Sequence, residues 1–277
     1  MKNPFTGDKK AFFAEGQKQR QGLILLKDRI KAGSIKDSCP HFYIYSPPGL
    51  GKSHTINSAL EKENISYERV MGNISMWAFG VTLATVNFKK DKNEEVIFSV
   101  DDCDVLFKDT ASINIMKNVL EGNKCFHYQK NLTNLSQLDE LQQQAIKKHM
   151  KNGQMGFKVP TDKFRFIFTS NLKLPTSQDP ESKKKKIDLF AIRDRVRPID
   201  FDLQPEVQWG WICDIAINTN VIPKKIPRSV VLEACHFMFD NWNNLTTQSV
   251  RTIKHMCDDY IHYKGHYKFI WTTQYLN

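Results

Sequence analysis

The sequence has no run of apolar residues approaching the roughly 18 that a membrane-spanning helix requires. Residues 1–4 lead into charged positions instead of an apolar segment, so we expect no secretory signal. The six cysteines are scattered, with no C-x-x-C pair and no histidines at zinc-ligand spacing. We therefore expect reduced thiols, most of them in the core of a cytoplasmic protein that has no disulfide framework.

Acidic residues are also in short supply. The chain has 30 Asp and Glu against 40 Lys and Arg, which gives a net charge of +10. This excess favours an anionic partner such as nucleic acid, although a basic balance alone is often only a solubility feature. With 277 residues, of which 40% are hydrophobic, the chain can form one large domain, or one domain and a smaller one.

What the sequence does contain is a phosphate-binding loop pattern at residues 46–53, which read Ser-Pro-Pro-Gly-Leu-Gly-Lys-Ser. An apolar strand pattern precedes it at residues 41–45, and a helical pattern follows at residues 54–60. This context favours a nucleotide site over a chance turn, even though the pattern G-x-x-x-x-G-K-[ST] has Ser46 at its first glycine. The predicted nucleotide-contacting residues are Pro48, Gly49, Leu50, Gly51, Lys52, Ser53 and His54.

Each of these residue types has a physical role at a triphosphate. Gly49 and Gly51 have no Cβ, so the backbone can wrap closely and turn N–H groups toward phosphate oxygens. The following helix N-terminus adds a favourable dipole. Lys52 is expected to reach the β- and γ-phosphates, and the Ser53 hydroxyl to ligate Mg²⁺.

A second motif is the strand pattern at residues 95–100, which ends in an acidic cluster. Carboxylates at the end of a buried parallel strand emerge at the ligand edge of the sheet. We expect Asp101 to hold Mg²⁺, largely through water, and Asp102 to polarise the attacking water. Asp104 is expected to be structural or a cap. The alternative is a strand that simply ends in an acidic turn.

Two further positions are candidate catalytic residues. The strand pattern at residues 164–171 ends in Asn171, whose amide is expected to orient the attacking water. A helix at residues 187–196 carries Arg193 and Arg195 and precedes a final strand. If the protein forms a ring, an arginine here can enter the neighbouring site, with Arg195 preferred and Arg193 second. Surface salt bridges are the alternative.

From residue 204 onward the apolar spacing becomes helical, which predicts an α/β domain over residues 1–203 and a helical domain over residues 204–277. Arg251, at the start of the last long helix, is expected to reach the nucleotide phosphates. An arginine alone on a helix would ordinarily be a surface residue.

Three stretches have open interpretations. Ile74, Met76 and Trp77 are either channel-facing groups of a ring or, more commonly for such a cluster, packing residues. Residues 130–160 are predicted to be a partly helical insertion that faces nucleic acid, a neighbouring subunit or solvent. The lysine run at residues 183–186 is either solvated or a DNA-backbone contact.

These motifs, in this order, resemble those of the AAA+ ATPases, over about residues 36–263. Residues 46–53 are similar to that family's GPPGxGKT loop, and residues 96–102 to its Walker B strand. Asn171 resembles sensor 1, Arg195 the arginine finger and Arg251 sensor 2. Asp102 departs from the pattern, since the family has glutamate there, and the shorter side chain implies slower hydrolysis or a different water position. The acidic stretch also resembles small phage-encoded AAA+ ATPases of DNA metabolism.

The resemblance implies an αβα sandwich with a parallel central sheet, a helical lid, bound ATP and Mg²⁺, and a homo-oligomeric ring, often of six subunits. It implies a motor that acts on DNA in viral or plasmid replication or recombination, with a replication or recombination protein as a possible partner. Two rivals remain at this point. One is an ATPase that remodels proteins, and the other is a scaffold that binds ATP as a switch and hydrolyses it slowly.

Overall fold

The computed structural model describes residues 5, 7–34, 36–72, 74–121, 124–129, 135–150, 156–176 and 184–276. The side chains of residues 184–187 are not described. The parts of the predicted insertion at residues 130–134 and 151–155 therefore lie outside what is described, as do Lys183 and the side chains of the other residues in the predicted lysine run at residues 183–186.

The chain divides into two compact units, each built from several segments. The sheet unit contains Arg29–Tyr45 and Leu60–Phe201, and the helical unit contains Met1–Asp28, Ser46–Ala59 and Asp202–Asn277. The predicted boundary at residue 203 places the N-terminal helix and the phosphate loop in a different domain from the C-terminal helices, whereas the helical unit contains all three. The division into domains at residue 203 remains a prediction.

Seven strands form the β structure of the described residues. They are β1 (Phe42–Tyr45), β2 (Tyr67–Met71), β3 (Val96–Asp101), β4 (Cys125–Tyr128), β5 (Phe157–Pro160), β6 (Phe164–Ser170) and β7 (Arg197–Asp200). Ten α-helices accompany them within the described ranges: α1 (Lys9–Ala32), α2 (Lys52–Lys62), α3 (Met76–Lys89), α4 (Thr110–Leu120), α5 (Glu140–His149), α6 (Lys184–Arg193), α7 (Pro205–Asn218), α8 (Arg228–Asp240), α9 (Val250–Tyr263) and α10 (Tyr267–Gln274).

The main sheet has five strands in the order β2-β3-β6-β1-β7, and all of its pairings are parallel. β6 therefore lies between β3 and β1. In the register of the sheet, Tyr45 pairs with Ser170, and Val100 pairs with Phe168. The carboxyl ends of β1, β6 and β3 are consequently side by side at one edge, which is where ligands bind in parallel α/β sheets. This confirms the predicted α/β class with a parallel central sheet.

Aromatic side chains fill the sheet core. Every residue of β6 is buried, and four of its seven residues are Phe or Ile, as suits a central strand covered on both faces. Phe166 and Phe168 stack on each other with ring centroids 5.6 Å apart, and Phe98 on β3 stacks on Phe166 at 5.5 Å. Such a core stabilises the strands whose ends carry the polar residues described below.

Most predicted elements are present, and one strand was missed. β5 falls within the predicted insertion and pairs antiparallel with β4, with Phe126 opposite Val159. Asp139 begins α5 with a capping box, because it accepts from the Gln142 backbone while the Gln142 side chain accepts from the Asp139 backbone. The predicted insertion thus contributes a hairpin strand as well as a helix.

The helical unit contains the strongly amphipathic helix α9, whose buried residues include Ile253, Met256 and Cys257. Leu23 and Leu26 of α1 are also buried. All six cysteines are free, and five of them are buried, as expected for reduced core thiols. Among the described residues, no helix has both the length and the apolar character needed to cross a membrane.

Candidate nucleotide-binding site

The predicted phosphate loop, residues 46–53, is a strained turn that leads into α2. Gly49 and Gly51 have φ angles of +81° and +65°, in the left-handed region that glycine adopts at little cost. A Cβ placed on Gly49 would lie 2.3 Å from the Cβ of Ser249. The two glycines are therefore required by the conformation of the loop as well as by the motif.

Two loop carbonyls accept hydrogen bonds from the C-terminal helices of the same unit. The Trp211 indole Nε1 on α7 donates to the Leu50 carbonyl at 2.8 Å, and the Val250 amide donates to the Gly49 carbonyl at 3.0 Å. Leu50 and Trp211 are fully buried. These contacts fix which way the loop carbonyls face, so the cradle depends on residues more than 150 positions away.

The charged and hydroxyl residues of the motif stand at the start of α2. Lys52 is buried, and its Nζ lies 3.2 Å from the Ser46 carbonyl. Ser53 is half-buried and His54 is exposed. A buried ammonium with a carbonyl neighbour suits a phosphate ligand, because a triphosphate supplies the negative charge that a carbonyl lacks.

A cavity of about 440 Å³ opens beside the loop within the helical unit. Its lining residues are Pro47, Pro48, Gly49, Gln208, Thr246, Thr247, Gln248, Ser249, Arg251, Thr252 and His255. Arg251 thus lines the same cavity as the first half of the phosphate loop. Its volume is in the range of small-molecule sites, about 300–1,000 Å³.

The second polar set, which we call the acidic edge, consists of Asp101, Asp102, Asp104, Thr169 and Ser170 in the sheet unit. Asp101 is the last residue of β3, and its carboxylate accepts a hydrogen bond of 2.5 Å from the Thr169 hydroxyl on β6. The guanidinium of Arg69 lies 3.6 Å from its other oxygen. The predicted metal ligand is therefore oriented from both neighbouring strands.

Asp104 has the structural role that its position suggested. Its carboxylate accepts hydrogen bonds from the Ser170 hydroxyl and, at 3.1 Å, from the Asn171 backbone amide. The Tyr43 hydroxyl on β1 lies 2.7 Å from Ser170 Oγ. These contacts join the ends of β1, β6 and the turn after β3, and they leave the Asn171 side chain at the surface.

Asp102 is exposed and has left-handed backbone angles, φ 50° and ψ 46°, at the start of a 3₁₀ turn over Cys103–Phe107. A non-glycine residue in this region costs free energy and is often found at functional positions. Because Asp102 has this conformation, β3 ends at Asp101 and the chain changes direction at Asp102.

The candidate finger arginines both form ion pairs within the chain. Arg193 donates to Asp200 at 2.9 Å and to the Leu174 carbonyl at 3.2 Å. Arg195 pairs with Glu121. Within a single chain, these contacts correspond to the alternative given above, in which both arginines form salt bridges. A role for Arg195 in a neighbouring subunit remains a prediction.

The cluster at the start of α3 packs against the sheet core. The Trp77 ring contacts Tyr128 and Phe157, with centroid distances of 5.3 and 5.7 Å. Ile74 and Met76 are also partly buried against the core. These contacts correspond to the packing interpretation.

The sequence pattern did not reveal Trp211, Thr169 or Arg69 as members of these two sets. Trp211 and Thr169 carry no motif, and only their hydrogen bonds identify them. Thr169 does belong to the polar end of β6, but that position alone does not indicate that it pairs with Asp101. No group of three or more His, Cys, Asp or Glu side chains is placed to hold a metal within the described part of the chain. Mg²⁺ bound with ATP does not need one, since it keeps phosphate and water ligands.

The fold and its loop define the class: an α/β protein with a parallel five-stranded sheet and a glycine-rich phosphate-loop motif directly after β1. No protein-family model matches the sequence, and no curated protein does either. Among solved structures, the chain is similar to the RuvB Holliday junction branch migration motor of Thermotoga maritima, with 13% identity and a TM-score of 0.40. The match covers 90% of this chain and 63% of that one, so the chain spans less than two thirds of the RuvB chain.

Proposed function

We propose that this protein is a Mg²⁺-dependent ATPase of the AAA+ type. The observation that carries the proposal is the strand order. β6 lies between β1, which leads into the phosphate loop, and β3, which ends in Asp101. This order brings a polar strand end and a candidate metal ligand to the carboxyl edge of the sheet, where ligands bind in parallel α/β sheets, and these are group types that phosphoryl transfer uses.

The roles proposed for the residues follow from their chemistry. Lys52 binds the β- and γ-phosphates, and the backbone of the phosphate loop holds their oxygens. Ser53 and Asp101 are the residues that would hold Mg²⁺, which neutralises phosphate charge when it is bound with ATP. Asp102 accepts the proton of the attacking water, and Asn171 orients that water. Arg251, which lines the cavity beside the phosphate loop, binds a phosphate.

The test of this activity is ATP turnover by the full chain with Mg²⁺, compared with EDTA. We expect Mg²⁺-dependent release of phosphate, and we expect Asp102→Asn to retain bound ATP while turnover falls by at least about 100-fold. Turnover that persists in Asp102→Asn would assign the base to another residue. Tight ATP binding without turnover by the natural chain would favour the switch scaffold.

We further propose that the ATPase acts on DNA as a homo-oligomeric ring, in viral or plasmid replication or recombination. The net charge of +10 supports an anionic partner. Single- or double-stranded DNA should stimulate turnover, and the stimulation should decline with salt. Stimulation by an unfolded polypeptide, and not by DNA, would favour protein remodelling instead.

The ring proposal assigns Arg195 to the site of the next subunit. Arg195→Ala should retain nucleotide binding and lose turnover by about 10³-fold or more. Glu121→Gln is the matched control, because it breaks the same intrachain pair and keeps the guanidinium. In mixtures, inactive Arg195→Ala subunits should impair wild-type neighbours. Independent activities in the mixture would refute the trans role.

A further inference from the structure

Residues 263–269, which we call the C-terminal tip, contain the turn between α9 and α10 in the helical unit. From residue 260 to residue 277 the sequence has no Asp or Glu, but it has two lysines, two histidines and six aromatic residues. A basic segment with interleaved aromatics is the composition that binds nucleic acid, so the placement of these side chains is informative.

Two aromatic rings of the tip are exposed. Phe269 has 67% of its surface accessible and Tyr263 has 47%, and Phe269 is the most exposed large hydrophobic side chain among the described residues. An exposed phenylalanine ring keeps apolar surface in contact with water, and a flat apolar partner that covers the ring lowers the free energy by removing that surface from water. The tip therefore offers ring faces to a ligand.

The rest of α10 is firmly anchored, so the exposed rings are held on a fixed support. Trp271 is buried, and its Nε1 donates to the Met256 carbonyl of α9 at 3.0 Å. The Tyr267 ring contacts Trp271 at 5.1 Å and Tyr260 at 5.2 Å between centroids. Tyr275 donates to Asp259 at 2.7 Å. A fixed platform loses little conformational entropy on binding.

The positive charge of the tip is only partly neutralised. Lys268 lies 3.4 Å from Glu233, and Tyr267 donates to the same carboxylate at 2.8 Å. Lys264 is exposed and has no ion-pair partner within the described ranges. Of the acids on the adjoining helix, Asp259 accepts from Tyr275, and Asp258 precedes the tip by more than one helical turn. The residues of the tip therefore carry a net positive charge, which favours an anionic ligand.

From these observations we infer that the C-terminal tip is a binding surface for single-stranded nucleic acid, with Phe269 and Tyr263 stacking on bases and Lys264 near the backbone. A single strand fits better than a duplex because a duplex hides its base faces within the stack. The inference deepens the DNA role proposed above, on which it rests for the choice of partner. It does not require ATP hydrolysis.

The experiment is a titration of a fluorescein-labelled dT20 oligonucleotide with the full chain, followed by fluorescence anisotropy without nucleotide. Phe269→Ala should weaken binding by about 5- to 150-fold, the range for loss of one base stack. Phe269→Trp should restore most of the affinity. Phe190→Ala is the matched control, since Phe190 is also an exposed phenylalanine and lies on α6.

Charge is tested with a second matched pair. Lys264→Glu and Lys92→Glu change the net charge equally, and both lysines are exposed. Only Lys264→Glu should weaken binding. Lys264→Ala should reduce the magnitude of the slope of log K against log[salt] by about 0.7, the value for one phosphate contact to a single strand. Equal effects within either pair would refute a specific tip surface and would leave only general attraction by the basic protein.

The same proteins separate this inference from the proposed function. Circular dichroism and thermal unfolding establish that each variant is folded, and basal turnover is measured without DNA. If the protein has basal ATPase activity and Phe269→Ala binds the oligonucleotide as tightly as the natural chain, nucleic-acid binding at the tip is refuted and the proposed ATPase activity is supported. Normal tip-dependent binding by a protein without ATPase activity would refute the proposed enzyme and retain the tip. A duplex that binds as tightly as dT20, with the same loss in Phe269→Ala, would also overturn the inference.

Discussion

The phosphate loop and the acidic edge are held by different kinds of contact. In the loop, positive φ angles at Gly49 and Gly51 combine with donors from Trp211 and Val250 to backbone carbonyls. At the acidic edge, hydroxyls of β6 donate to carboxylates that follow β3. Backbone angles and hydrogen bonds to backbone carbonyls hold the phosphate loop, whereas hydrogen bonds between side chains orient the acidic edge.

The difference matters for how each set responds to mutation. A backbone cradle tolerates changes in its side chains where no Cβ clashes, but it depends on remote residues that hold its carbonyls. A side-chain network depends on the residues that form it, and removal of one partner leaves a buried polar group unpaired. The predictions below test this contrast, in order of decreasing effect.

Lys52→Ala should have the largest effect, because it removes the charge from an otherwise uncharged cradle. We expect turnover of ATP to fall by at least about 100-fold, with weaker nucleotide binding. Lys62→Ala, at the other end of α2, is the control and should retain activity. Wild-type turnover by Lys52→Ala, measured as phosphate release, would show that the loop is not the phosphate site.

Thr169→Val tests the side-chain network. The variant keeps the shape of the side chain and removes the hydroxyl that donates to Asp101, so the free energy of unfolding should fall by about 1.5–3 kcal/mol. The affinity for Mg²⁺-ATP should fall as well. In the control, Thr161→Val, the lost bond joins the turn between β5 and β6 to the neutral Val119 carbonyl of α4, and only stability should change. Equal nucleotide affinities in both variants would contradict a role for Thr169 in positioning Asp101.

Trp211→Phe tests the dependence of the cradle on the helices. Loss of the indole donor leaves the Leu50 carbonyl unpaired at a cost of about 1–3 kcal/mol. Trp209→Phe is a close control, because Trp209 donates to the Cys235 carbonyl at 2.8 Å and does not contact the loop. Both variants should lose stability, measured by urea unfolding. Only Trp211→Phe should bind a fluorescent ATP analogue more weakly, and equal weakening would mean that the effect is general.

Acid stability provides the smallest test, and it concerns the sheet unit. Burial, with Lys124 and Arg165 nearby, lowers the pKa of His41 to about 3 from an ordinary value of 6.5. Between pH 6 and pH 4 the unfolded chain therefore binds a proton that the folded chain does not. As the pH is lowered through this range, the free energy of unfolding should decrease by about 1.4 kcal/mol per pH unit. His41→Asn keeps an acceptor for the Phe166 amide and should be less sensitive to acid in urea titrations. Parallel pH profiles for the two proteins would exclude His41 as the cause.

Local patterns predicted the loop, the acidic strand and the parallel sheet, because each depends on neighbouring residues. The glycine spacing, the run of residues 164–171 and the helical spacing after residue 204 are examples. The strand order, the Trp211 contact and the packing of Trp77 depend on residues far apart in the chain, and no local pattern records them. β5 was missed even though Phe157 to Pro160 alternate between buried and exposed, because the polar residues around it suggested an insertion.

The two outermost strands of the sheet have a consequence for self-association. β2 presents Glu68 and Arg69, and β7 begins with Arg197 and Pro198, a residue that cannot donate a backbone hydrogen bond. Charge and proline on outer strands discourage a second chain from extending a sheet, a common route to aggregation. Contacts between copies of this protein should therefore use helices and loops, and the sheet should remain five strands wide in any assembly.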